Sequence, residues 1–167
     1  TRFTFPDKSS YIRFWGDLHD FCVAAVDFTP PEDVIFRSQI HQRYLGIGFH
    51  EEGRYLSYMR KSDMRESTAG INCFVLNSPA PHFLKLAKGQ RLRFHGMYFQ
   101  EQFFQENGVR LYDSFWEDAK CSIGFGEIHS PELIEIYQRI ERCPLTGEPF
   151  QIWMRGQGLA ATGFLLE

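Results

Sequence analysis

From Arg43 to His50 the apolar residues Leu45, Ile47 and Phe49 alternate with Tyr44, Gly46, Gly48 and His50, the period of a strand whose two faces meet different surroundings. Glu51-Glu52-Gly53 supplies a tight turn. Arg54 to Arg60 then sets Leu56 and Tyr58 on one side and Tyr55, Ser57 and Met59 on the other, so the two segments predict a hairpin. Further strands are expected at Phe21 to Phe28, Val34 to Ile40, Gly70 to Asn77, Arg91 to Phe99 and Val109 to Trp116, each bounded by Pro, Gly, Asp or Asn. Short strands at this spacing predict a barrel or sandwich. Near Ser130 the period becomes helical. Ser130-Pro131-Glu132 combines a capping hydroxyl, a proline tolerated in the first turn and an acid at the positive end of the dipole. Leu133, Ile136, Tyr137 and Ile140 fall on one face, and Pro144 stops the helix near Cys143. A second helix is predicted from about Pro149. It carries two apolar stripes, Trp153/Ala160/Ala161/Phe164 and Ile152/Leu159/Leu166.

Composition narrows this. A chain of 167 residues suits one core with a small appendage, and 17 Phe among 7 Tyr and 3 Trp suit strands around an enclosed interior. The formal charge of -3 implies that this chain alone binds DNA poorly, because phosphate contacts need a basic face. Cys22, Cys73, Cys121 and Cys143 form no paired CxxC, so reduced thiols are expected rather than a zinc knuckle or a disulfide framework. No apolar run reaches the roughly 20 residues that span a bilayer, and Thr1 to Ser10 lacks a signal-peptide pattern, which leads to the expectation of a soluble cytoplasmic protein without membrane contact. Gly163-Phe164-Leu165-Leu166-Glu167 has no helix stop, so the natural chain is expected to continue.

The segment from Glu135 to Leu166, with Cys143-Pro144-Leu145-Thr146-Gly147, then Trp153, Leu159 and Phe164 in order, resembles the helix pair joining the sensor and DNA-binding halves of AraC-type transcriptional regulators. It departs from that pattern at Gly156, Gly158 and Gly163, each costing helix stability on the order of 1 kcal/mol relative to Ala unless close packing compensates. Ala69-Gly70, the run Ile71, Cys73, Val75 and the bend Pro79-Ala80-Pro81-His82 resemble a cupin strand with its glycine entry and proline exit. The resemblance covers most of the chain. It implies a mainly β fold, a cupin-like double-stranded β-helix barrel over 1–127 that binds a small-molecule effector, followed by two C-terminal α-helices over 128–167 that dimerise and link to an absent helix-turn-helix domain. DNA would be contacted only through that missing part.

Enzymatic chemistry is not signalled. There is no G-x-S-x-G, phosphate-binding glycine loop or HExxH, Gly124-Phe125-Gly126 reads as a strand-end turn, and nothing places a base beside Cys73 or Cys121. The six histidines include no HxH; His50-Glu51-Glu52 and a later His82 are what remains of a cupin metal set, so no metal, cofactor or catalytic residue is expected. The alternative is a small metal-dependent cupin enzyme, a dioxygenase or isomerase, with His82 as a ligand. Polar residues among aromatics nominate Arg43, Tyr58, Arg60, Asn72, His82, Arg93 and His95 as the effector site, and Arg60 and Arg93 would suit an anionic or carbonyl-bearing effector. Parity says that alternate residues share a face, not which face is inside. Phe94, Tyr98, Phe99, Phe103 and Phe104 are expected to be core and lid packing. A homodimer is expected through Trp153, Gly156, Leu159, Ala160, Gly163 and Leu166, the alternative being that the missing half covers the second stripe.

Overall fold

The computed structural model describes residues 2–4, 10–17, 19–38, 43–67, 69–76, 81–111, 125–128 and 130–166. Its strands are β1 (Arg2–Thr4), β2 (Tyr11–Gly16), β3 (Phe21–Phe28), β4 (Val34–Ser38), β5 (Tyr44–Glu52), β6 (Tyr55–Tyr58), β7 (Arg65–Ser67), β8 (Gly70–Leu76), β9 (His82–Leu86), β10 (Leu92–Gln100) and β11 (Phe125–Ile128). The helices are α1 (Glu101–Glu106), α2 (Pro131–Arg142) and α3 (Gly147–Leu166). One sheet runs β1-β2-β3-β10-β5-β8-β11 and the other β4-β9-β6-β7, with antiparallel pairing throughout the described residues. This is a mainly β, cupin-like barrel followed by a helix pair.

The larger sheet is buried on both faces. Val23, Leu45, Ile47, Ile71, Cys73, Val75, Met97 and Phe99 point to the side covered by the helices, where they join Leu133, Ile136, Tyr137, Ile140, Phe150, Met154 and Ala161 in one core. The other face looks into the barrel, where Phe28, Phe94 and Leu92 meet Leu86 and Phe36 of the smaller sheet. Removing two faces from water in this way is the main drive to the fold.

α2 forms as its start signal predicts: the Ser130 hydroxyl accepts from the Leu133 amide at 3.2 Å, Pro131 opens the first turn, and Arg139 and Arg142 lie in the last. The Tyr137 hydroxyl donates to the Ile47 carbonyl and pins the helix to β5. α3 faces the sheet with Phe150, Met154, Gly158 and Ala161. A Cβ at Gly158 would stand 2.7 Å from the Phe21 ring, so this glycine lets helix and strand close, whereas at Gly156 and Gly163 it would meet nothing within 4 Å.

Several expectations need correction. Glu51 and Glu52 belong to β5, and the turn is at Gly53, with φ of 93°. β9 begins just after the prolines that were expected to end a strand. Phe103 and Phe104 are core, but on the short helix α1, which the sequence pattern did not announce. Of the strand expected at Val109 to Trp116, residues 109–111 are irregular and 112–116 lie outside the described residues. The two α3 stripes divide differently: Ala161 is buried and Trp153 and Leu159 are half-buried against their own core, while Ile152, Gly156, Ala160, Gly163 and Phe164 are exposed. The side chain of Leu166 lies outside the described residues.

Candidate functional site

The inward face of the barrel follows from strand parity. Phe94, Gly96 and Tyr98 of β10 pair with His50, Gly48 and Gly46 of β5, and Gly48 pairs in turn with Asn72 of β8. Across the barrel, β6 turns Tyr55 and Ser57 inward and β9 turns His82 and Leu86 inward, as their contacts show. The glycines make room for rings. A Cβ at Gly48 would lie 2.6 Å from Phe94, and one at Gly96 would lie 2.8 Å from Phe94 and 2.9 Å from the Tyr98 hydroxyl.

His50 is at the centre of this face, 1% exposed, stacked on Tyr55 at 4.9 Å between ring centroids and tilted against Phe94 at 4.7 Å. Its Nε2 is 3.2 Å from the Tyr55 hydroxyl, and its buried Nδ1 has no hydrogen-bond partner. Burial lowers its pKa to about 4, so the ring is neutral at ordinary pH. The Asn72 Nδ2 is likewise buried without a partner. His82 Nε2 lies 3.2 Å from the Ser57 hydroxyl and its pKa too is lowered by burial. Burial raises the phenols of Tyr44, Tyr55 and Tyr98 above their ordinary values, and burial, aided by Asp17, pushes the Cys22 thiol up to about 12, which makes it a poor nucleophile. The result is a neutral, aromatic interior with hydrogen-bonding groups to spare.

On the opposite face the register of β5 against β10 shifts by one residue. Arg93 pairs with Glu52 and Phe94 with His50, leaving Glu51 as the extra residue of a β-bulge. The Glu51 carboxylate takes Arg93 Nη1 at 3.0 Å and His95 Nε2 at 3.2 Å, and Arg93 Nη2 reaches Glu141 of α2 at 3.0 Å. The pKa of His95 is lowered by burial, against the pull of Glu141 and Glu51 and with help from Arg93. Donor atoms of Glu51, His95 and Glu141 lie within 4.8 Å of one another, a spacing that a metal ion could use. The Arg93 guanidinium already spans both carboxylates and neutralises them as a cation would.

Of the residues nominated from sequence, Asn72 and His82 face the barrel interior. Arg93 and His95 do not; they share the parity of Met97 and Phe99 and join the barrel to α2. Tyr58 stacks on its cross-strand partner Phe83, on the outer face of the smaller sheet, Arg60 is exposed, and Arg43 is half-buried just before β5. Tyr55 was not nominated, and His50 stands out in the sequence as a polar residue on an aromatic-rich strand but was not placed in the effector set. The available signal was that His50 shares parity with Gly46 and Gly48, small residues on a face where bulky rings pack. A separate groove of about 430 Å³, lined in part by Arg142, Cys143, Leu145 and Trp153, lies at the α2–α3 turn, away from this constellation.

No family model and no curated protein matches the chain. Among solved structures it is similar to the AraC-like transcriptional activator CuxR, with a TM-score of 0.53 and 10% identity over 95% of this chain and 59% of that one. It is also similar to a cupin_2 domain of an XRE family transcriptional regulator from Enterobacter cloacae (TM-score 0.42, 12% identity, 55% of this chain and 96% of that one). A third similar structure is KdgF from Halomonas sp. (TM-score 0.39, 15% identity, 57% of this chain and 83% of that one). At these identities the likeness is one of fold.

Proposed function

We propose that this chain is the sensing and pairing half of a transcription regulator, with a small molecule bound inside the barrel and DNA contacted by a helix-turn-helix part outside this sequence. The observation that carries the reading is the pair of buried polar atoms, His50 Nδ1 and Asn72 Nδ2, without partners on the inward face. Such groups cost on the order of 1–3 kcal/mol each when left unsatisfied, a cost that a bound molecule relieves. The fold shared along 95% of the chain with an AraC-like activator agrees with it. In a library of small metabolites, at least one is expected to raise the thermal unfolding midpoint of the chain and to shift the His50 ring signals in NMR, with the response lost in Asn72→Ala. A library that leaves both readouts unmoved would defeat the sensor.

Pairing is ascribed to the outer face of α3. Ile152 is 68% exposed and Phe164 46%, with Gly156, Ala160 and Gly163 exposed between them at helical spacing. From Ile152 to Phe164 the one charged residue, Arg155, is turned onto Asp20 and Glu106 of its own chain, so this stretch of the face is without charge and Glu148 stands exposed one turn before it. In an antiparallel two-fold pairing Ile152 of one copy opposes Phe164 of the other and Gly156 opposes Ala160, so large residues flank a close approach of backbones. Ala160→Glu is expected to convert a dimer to a monomer in sedimentation velocity without changing the circular dichroism. A wild-type monomer at high concentration would remove this part of the reading.

A further inference from the structure

The identity of the inward-facing side chains limits what the barrel can hold, taking the sensor reading above as given. Among the described side chains that are buried or half-buried on this face, none is Asp, Glu, Lys or Arg. The polar ones include Tyr44, His50, Tyr55, Ser57, Ser67, Asn72, His82, Tyr98 and Gln100, a set of phenols, hydroxyls, amides and two imidazoles. Arg93, the cation that would most readily have served an anionic ligand, is on the opposite face and committed to Glu51 and Glu141. Arg60 is exposed.

An ion taken from water into such a space loses its hydration shell, and the described buried side chains of this face supply no opposite charge to repay the loss, Arg65 opposite Ser57 being exposed. The low pKa of His50 shows the same environment acting on a group of the protein's own. A neutral molecule pays much less, provided that it completes the open hydrogen bonds. Asn72 Nδ2 is a donor, and in the tautomer in which the Tyr55 hydroxyl donates to Nε2, His50 Nδ1 carries the ring proton and is a donor as well. Asn72 sits opposite Gly48 and is diagonal to His50 across β5 and β8, a separation of about 7–8 Å for such pairs, short enough for one small molecule to serve both. The rings of Phe94 and Tyr55 flank the His50 imidazole and offer flat apolar surface beside these donors.

We infer that the barrel selects an uncharged ligand, a planar or ring-bearing molecule with a carbonyl or equivalent acceptor, which accepts from Asn72 and His50, and that it rejects carboxylates and other anions of the same shape.

The test uses three molecules of nearly one shape, benzamide, benzoate and benzamidinium, each titrated at millimolar concentration into the intact chain while the His50 ring signals are followed by NMR. Benzamide is expected to bind at least about tenfold more tightly than either ion, the factor that one mismatched buried hydrogen bond produces. Asn72→Ala should weaken benzamide by a similar factor. Asn72→Asp should reverse the order and favour benzamidinium, an exchange of preference that a loss of packing alone would not give. Circular dichroism of both variants checks that the barrel is intact. Benzoate or benzamidinium bound by the wild type as tightly as benzamide would overturn the inference and leave the sensor reading standing. If none of the three moves His50 but a metabolite from the library does, the charge of that metabolite decides: neutral supports the inference and ionic overturns it. If no molecule moves His50, the sensor reading and this inference fall together.

Discussion

Acidification from pH 7 to about 5 should cost the folded chain roughly 2 kcal/mol through His50 alone. In the unfolded chain this imidazole takes up a proton near its ordinary value of 6.5, while in the barrel it resists until about 4. Between those values the unfolded state binds the proton and the folded state does not. Stability therefore is full above the upper value, falls as the pH drops through the window, and levels off below the lower one. His82 and His95 have pKa values lowered in the same direction by burial, so they steepen the fall. Urea unfolding across this range is the measurement. His50→Gln, which keeps a polar side chain but cannot titrate, should flatten the profile by about the His50 share; parallel profiles for variant and wild type would show that another group governs acid lability.

The second large effect is expected at Gly53. The chain passes there from β5 in the larger sheet to β6 in the smaller with φ of 93°, a left-handed conformation that L side chains rarely adopt. A Cβ would also stand 2.2 Å from the Arg91 carbonyl oxygen and 3.1 Å from the Leu92 Cα. Both obstacles are backbone at the start of β10, so relief requires moving the strand. Gly53→Ala should cost about 3 kcal/mol or more, combining backbone strain with a core-strand shift. Gly89→Ala provides the comparison: its φ is 71° but a Cβ there meets nothing within 4 Å, so strain alone acts and about 1 kcal/mol is expected. Equal urea midpoints for the two variants would mean that the Gly53 turn gives way easily.

Much of the fold was legible because the relevant signals are local. β3, β5, β8 and β10 alternate or run apolar between turn residues, and α2 begins at a cap that needs only Ser130, Pro131 and Glu132 to be recognised. β9 was missed for a physical reason: His82, Leu84 and Leu86 share one face, but a polar His at the start and prolines just before it resemble the end of the preceding strand. α1 is too short to show a period, and its consecutive buried rings Phe103 and Phe104 fit a strand end equally well.

The site was less legible because the larger sheet has two buried faces. Parity grouped Arg93 and His95 with Met97 and Phe99, yet the more apolar face of this sheet turns out to meet the helices, and the face bearing glycines and neutral polar residues lines the barrel. The expectation of an anionic or carbonyl-bearing effector rested on Arg60 and Arg93, of which Arg93 faces the helices and Arg60 is exposed. Leu159, expected at the dimer face, instead supports its own core, which is why the pairing test is better made at the exposed Ala160.

The bulge at Glu51 has a mechanical side. From Phe94 to Gln100 the pairing of β10 with β5 continues without a shift, a stiff ladder, and it gives way to stronger local twist only at the bulge. His50, whose ring packs on Tyr55 and Phe94 inside the barrel, and Glu51, whose carboxylate is tied through Arg93 to α2, are joined by one peptide unit at that end. The two side chains point to opposite faces of the sheet, so one short stretch of backbone bears both contacts. The distance along the chain from the barrel's interior to the tether of α2 is thus a single residue, at the point where the register of the sheet breaks.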